Sequence, residues 1–189
     1  MCDLSDFINA NPRGTKSGSF SEKDLALLSE FKIPVDIIGF LQTEGRVTYK
    51  DDFFSTTLPQ EHFQTFSEWG LNGKKCFAFL KTAFGSLCFL YKDKIFQLDP
   101  ISGNLYKGRF RFCEFMNLLV TMDSFLESCY FDIYQKIETK QLLEFDEIYA
   151  FVPALSLGGS FETSKTEVVK MREHLSFLAQ LFDGEARHI

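Results

Sequence analysis

Long apolar runs are missing from this 189-residue chain. None approaches the roughly 20 residues that a transmembrane helix requires, so no membrane span is expected. The opening stretch, Met1 to Gly18, has acids at Asp3 and Asp6, a polar run from Asn11 to Gly18 and no apolar h-region. No secretory signal is expected there, and the segment up to Gly18 is expected to be loosely held. Cysteines are few and odd in number: Cys2, Cys76, Cys88, Cys113 and Cys129. No pair has CxxC spacing, which indicates neither a disulfide framework nor a zinc site; free thiols and a cytoplasmic location are expected. Repeats and low-complexity segments are absent. Histidine is scarce too. His62, His174 and His188 lie far apart, His174 reading as a helix residue at the edge of a core and His188 as part of a ragged tail. Nucleophile-elbow, HExxH and P-loop signatures are absent, and Gly158-Gly159 lacks the Lys-Ser/Thr of a phosphate loop. Asp51-Asp52 and Asp146-Glu147 read as solvated charge. No catalytic, cofactor-binding or metal-binding residue is assigned, and the chain is expected not to be an enzyme; pairs formed by folding are invisible at this level.

Phenylalanine is abundant, 23 residues, within a hydrophobic content of 45% and a charged content of 24%. Such a chain can bury a sizeable core, which the aromatics are expected to fill, with some of them at an interface. Ser21 with Asp24 forms a loose capping box for a helix through about Phe31, with Leu25, Leu28 and Phe31 on its apolar side. Pro34 opens a second helix with Val35, Ile38 and Leu41 on one side, ending near Gly45. Short strands are expected at Arg46 to Tyr49 and Phe53-Phe54, around Lys50-Asp51-Asp52. Pro59 starts a helix to about Glu68, closed by Trp69-Gly70, with Trp69 as a core anchor. From Lys75 the period becomes two: Cys76 to Leu80, Ser86 to Tyr91 and Lys94 to Leu98 read as successive strands. Gly85, Lys92-Asp93 and Asp99-Pro100-Ile101-Ser102-Gly103 supply the turns, and Asn104 to Lys107 is a fourth strand. The helical period then returns with Phe112, Phe115, Met116 and Leu119, continues over Asp123 to Glu127, and resumes from Tyr130 to Lys140. The fold class is α+β: N-terminal helices, a central antiparallel meander sheet, and C-terminal helices packed on it. The expected divisions are a flexible segment 1–18, an α+β domain 19–109 and a helical domain 110–189.

Near the C-terminus, Tyr149 to Gly159 reads YAFVPALSLGG. Phe151 and Val152 are extended, because a residue before proline avoids the α region, and Gly158-Gly159 permits a reversal. Ser164 with Glu167 resembles a capping box, so a helix is expected from about Lys165 to Phe182, with Val168, Met171, Leu175, Leu178 and Leu181 as its apolar stripe and Gly184 as its stop. This motif, followed by VVKMREHLSFLAQLFD, resembles the C-terminal signature of bacterial type VI secretion immunity proteins. Members of that family join a GAD-like N-terminal domain to this C-terminal domain and protect a cell against a secreted DNase. The run FLKTAFGSLCFLYKDKIFQLDPISG is similar to the GAD-like sheet, a similarity spanning about Phe31 to Arg109. The resemblance implies an antitoxin in interbacterial competition, acting by protein–protein inhibition, with no catalytic residues to carry over.

Charge is unevenly placed. Lys74 to Arg111 holds eight bases (Lys74, Lys75, Lys81, Lys92, Lys94, Lys107, Arg109, Arg111) and two acids (Asp93, Asp99). Phe112 to Glu147 holds eight acids (Glu114, Asp123, Glu127, Asp132, Glu138, Glu144, Asp146, Glu147) and two bases (Lys136, Lys140). The net charge is −6, which disfavours nucleic acid, where affinity comes from neutralising phosphates. An acidic helical face suits a nuclease's positive surface. The candidate toxin-binding residues are therefore Asp123, Glu127, Tyr130, Phe131, Asp132, Tyr134, Glu138, Glu144, Asp146 and Glu147. The expected partner is a cognate toxin bound by a free monomer, with no direct nucleic-acid or membrane contact and no cofactor. Two other readings stay open: a small-molecule enzyme with an aromatic pocket, and a regulatory module holding nucleic acid through Lys74 to Arg111. The bland reading of the charges is two solvated faces that pair with each other.

Overall fold

The computed structural model describes residues 3–31 and 33–188. The fold is α+β. Its strands are β1 (Arg13–Gly18), β2 (Arg46–Tyr49), β3 (Phe54–Thr56), β4 (Phe77–Thr82), β5 (Leu87–Tyr91), β6 (Lys94–Asp99), β7 (Asn104–Lys107), β8 (Glu147–Phe151), β9 (Thr166–Lys170) and β10 (Arg187–His188). One sheet runs β1-β2-β3-β4-β5-β6-β7-β10, and β8 with β9 forms a separate antiparallel hairpin. From β1 to β7 every neighbour is antiparallel, as the short connections require. Left-handed Lys92 (φ 49°) and Asp93 (φ 59°) make the tight β5–β6 turn. Gly103 (φ 71°) lies against Phe182, where a Cβ would come within 2.7 Å of the ring.

The helices are α1 (Ser5–Ala10), α2 (Glu22–Glu30), α3 (Val35–Glu44), α4 (Phe63–Glu68), α5 (Phe112–Asn117), α6 (Asp123–Ser128), α7 (Phe131–Gln135) and α8 (Met171–Leu181). The expected capping box is present: Asp24 N–H donates to Ser21 Oγ at 3.1 Å, and the Asp24 carboxylate accepts from Ser21 N–H. Strand alternation divides the side chains between two cores. Leu87, Phe89, Phe96 and Leu98 join Phe66 and Trp69 of the α4 region and Met171, Leu175 and Leu178 of α8. Cys88, Leu90 and Ile95 join Phe7, Leu28, Ile37, Phe115, Phe125 and Tyr134 from α1 to α3 and α5 to α7. The two halves of the chain share both cores, since Ile148 enters the first and Tyr149 and Phe151 the second.

Several expectations are corrected. Within the segment expected to be loose, Ser5–Ala10 form α1 and Arg13–Gly18 form β1, and Phe7 is fully buried with its ring 4.9 Å from Tyr49. In α3 the buried residues are Ile37, Phe40 and Leu41, while Val35 is 80% exposed; Phe40 packs between Phe7 and Phe112 and sets the helix's rotation. The expected start of the last helix is instead β9. Thr166, Val168 and Val169 suit a strand, and pairing with β8 overrides the Ser164–Glu167 pattern, so α8 begins at Met171. The helix after Tyr130 ends at Gln135. His188 lies in β10, paired parallel with β7. Cys76, Cys88 and Cys129 are free and buried, but Cys113 is disulfide-bonded. Spacing carries no information about which cysteines folding brings together, and the free-thiol argument for a reducing compartment falls with it. Cys2 and the side chain of Leu119 lie outside the described residues.

Candidate partner-binding surface

Between α7 and β8, residues 138–147 form a strap held to the sheet by cations. Lys16 Nζ donates to the Leu143 carbonyl at 3.1 Å, pairs with the Glu144 carboxylate, and lies 5.0 Å from the centre of the Phe145 ring. Arg46 also contacts the Phe145 ring, at 5.4 Å, and pairs with Glu61. From β4, buried Lys81 donates to the Glu147 carbonyl at 2.9 Å. Lys170 of β9 bridges Asp146 at 2.9 Å and Glu147 at 3.1 Å. A cleft of about 630 Å³ opens here, lined by Arg46, Glu61, His62, Phe145, Asp146 and Arg172 among others.

The ionisation of these groups decides what chemistry the cleft can support. The Lys170 hydrogen bond holds Asp146 below the usual carboxylate range. Glu147 is lowered chiefly by the Glu144 N–H, which donates to it at 2.8 Å. Burial takes His62 down to about 3, so it stays neutral, with Nε2 2.6 Å from the Thr57 hydroxyl. A general acid needs a carboxyl raised towards neutrality; here Asp146 and Glu147 move the opposite way. The enzyme reading gains no support from this cleft.

The ten candidate residues divide sharply. The aromatics hold the C-terminal helices to the sheet. Tyr134 is buried and donates to the Asp51 carbonyl at 2.5 Å. Half-buried Phe131 packs edge-on against Phe53 at 4.9 Å. Tyr130 donates to buried Asp99 at 2.9 Å. The acids point outward: Asp123, Glu127, Asp132, Glu138, Glu144 and Asp146 are exposed, and Glu147 is half-buried. Asp132 pairs with Lys136, and Glu144, Asp146 and Glu147 are engaged by Lys16 and Lys170. Asp123, Glu127 and Glu138 have no ion pair among the described residues. Nor does any base from Lys74 to Arg111 form an ion pair among the described residues, although Lys81 lies close enough to Asp146 and Glu147 to interact with them electrostatically.

The exposed apolar side chains lie outside the ten candidate residues. The loop after β8 begins with a cis Val152–Pro153 bond and turns at Gly158 (φ 85°). A Cβ on Gly159 would come within 2.0 Å of the Pro153 carbonyl oxygen, which explains the second glycine. The loop leaves Val152, Leu157 and Phe161 exposed at 41%, 56% and 53%. Phe161 stacks on Tyr130 at 5.7 Å, three residues beyond exposed Glu127. The available signal was an aromatic alone in the polar run Ser160 to Ser164.

The assembled features define an α+β protein with an outward-facing acidic C-terminal half beside exposed apolar side chains. Residues 110–182 match the family model described as T6SS immunity protein Tdi1, C-terminal. That match covers under half of the chain and supports the type VI secretion immunity family for this segment. The crystal structure of Atu4351 from Agrobacterium tumefaciens is similar over 94% of this chain and 89% of that one, with a TM-score of 0.75 and 16% sequence identity; at that identity the likeness concerns the fold. Comparison with curated proteins finds no match. Among the described residues no helix is long and apolar enough to cross a membrane.

Proposed function

We propose that this protein is an immunity protein that binds a cognate type VI secretion toxin, a DNase, and inhibits it stoichiometrically by contact. The observation that carries the reading is a coincidence of position. The segment that matches the immunity family is also the one that exposes Asp123, Glu127 and Glu138, which have no ion pair among the described residues. A DNase must present positive surface to phosphates, and complementary charge accelerates encounter with it. Affinity then needs a desolvated anchor beside the charges, since exposed rim charges contribute little. Phe161 and Leu157 suit that role. The GAD-like identity of the N-terminal part and the free monomeric state belong to the same proposal.

The test is co-purification with a candidate cognate secreted nuclease, followed by DNA degradation at varied molar ratio. Protection should saturate near one-to-one. Glu127→Arg with Glu138→Arg should slow association about tenfold or more, while Phe161→Ala should chiefly raise the dissociation rate. Failure to protect at any ratio refutes the immunity reading. Unchanged kinetics in both variants moves the contact elsewhere.

A further inference from the structure

Sheet register brings the basic segment to one place. Lys74 and Lys75 precede β4, whose Phe77 lies opposite Leu90 near the end of β5. Tyr91 at the end of β5 faces Lys94 at the start of β6, and Phe96 faces Lys107 at the end of β7. Gly108 N–H continues that edge, donating to the Ile95 carbonyl at 2.8 Å. The beginning of β4, the β5–β6 turn and the end of β7 thus share one end of the sheet. Lys74, Lys75, Lys92, Lys94, Lys107, Arg109 and Arg111 are all exposed there; Asp93 lies among them, and the Glu114 carboxylate accepts from the Arg111 N–H at 3.0 Å. None has an ion pair among the described residues.

We infer that this end of the sheet binds the phosphate backbone of nucleic acid without reading its sequence. Three strand spacings, roughly 15 Å, cover about four base pairs of duplex at 3.4 Å each. The patch is polar. The large exposed hydrophobics Ile8, Val35, Leu118, Met122, Leu142, Val152, Leu157, Phe161 and Phe177 all lie outside Lys74 to Arg111. A protein partner would want a desolvated apolar anchor, and a membrane surface would want apolar side chains to insert; phosphates ask only for cations. The overall charge of −6 opposes binding at long range. Beyond about 8–10 Å, however, salt screens the distant acids, and the local cations dominate at contact. The inference does not depend on the toxin reading, and it reverses the expectation drawn from net charge alone.

The experiment is fluorescence anisotropy of a labelled 20-base-pair duplex titrated with the full chain at several NaCl concentrations. Four to six phosphate contacts give a slope of log K against log salt of roughly −3.5 to −5.5. Affinity should then fall roughly 130-fold to 2,000-fold from 50 to 200 mM. Lys75→Glu with Lys92→Glu, Lys94→Glu and Lys107→Glu should weaken binding at 50 mM by tenfold or more, and Lys136→Glu with Lys140→Glu should not. The inference is overturned by absence of binding at 50 mM, by equal loss in both variants, or by flotation with phosphatidylglycerol vesicles in place of DNA binding. A wild-type slope shallower than about −2 overturns it even if the quadruple variant fails to fold.

Discussion

Lys81→Met keeps the length of a buried side chain and removes its charge. Lys81 is 3% exposed on β4, under the strap, where its Nζ meets the Glu147 carbonyl. Burial lowers its pKa from 10.5 to about 7; Asp146 opposes the shift, and Arg46 and Lys16 add to it. Below about pH 7 folded and unfolded chains both carry this proton, and the residue adds no pH dependence. Between about 7 and 10.5 the folded chain has released the proton while the unfolded chain keeps it. Unfolding then takes up a proton, so stability rises with pH, by up to about 1.4 kcal/mol per pH unit for this one site. Across the window the gain is on the order of 5 kcal/mol, since the whole shift is expressed. The variant lacks this gain. Its lost hydrogen bond to the Glu147 carbonyl costs about 1 kcal/mol, a vertical offset rather than a slope. Urea denaturation of both proteins at about pH 6.5, 8 and 9.5 is the assay, with linear extrapolation to water. The stability of wild type minus variant should be nearly flat to about pH 7 and then climb. Parallel curves throughout would refute the assignment of a buried, mostly desolvated ammonium.

Two further substitutions test the packing. Gly39 lies inside α3 with nothing within 4 Å of where a Cβ would sit, so Gly39→Ala should raise stability by roughly 0.5–1 kcal/mol in chemical denaturation; a loss would mean that the site is more crowded than it looks. Phe84 is 1% exposed and stacks on Phe151 with ring centroids 5.2 Å apart, joining the sheet to the signature hairpin. Phe84→Ala should cost about 3–5 kcal/mol and shift a single unfolding transition; two separated transitions, with only one displaced, would show that the halves do not share their cores.

Much of the architecture was legible because local physics carried it. Ser21 and Asp24, Gly45, Gly85, Lys92-Asp93 and Gly103 mark the ends of elements through caps and left-handed backbone, and these effects act within a few residues. The strands from β4 to β7 announced themselves by alternation. The misreadings fall where a distant contact outweighed a local preference. Ser164 and Glu167 have capping-box spacing, yet β8 offers Thr166–Lys170 a full ladder of hydrogen bonds. Residues 1–18 look polar and loose, yet β2 supplies an edge for β1, and a buried pocket receives Phe7. In the candidate surface, the acids could be located from sequence as a charged run. Their division into those consumed by Lys16 and Lys170 and those left free could not, nor could the burial of Tyr134.

The sequence by itself determined the α+β class, the turns, the aromatic interior and the separation of basic from acidic segments, because these follow from residue type and short-range spacing. Only the tertiary structure decided that both halves share two cores, that Glu144, Asp146 and Glu147 are already paired, and that seven cations from three connections converge on one end of the sheet. Those outcomes depend on strand register and on which side chains meet across the fold, and neither is encoded in any single stretch of chain.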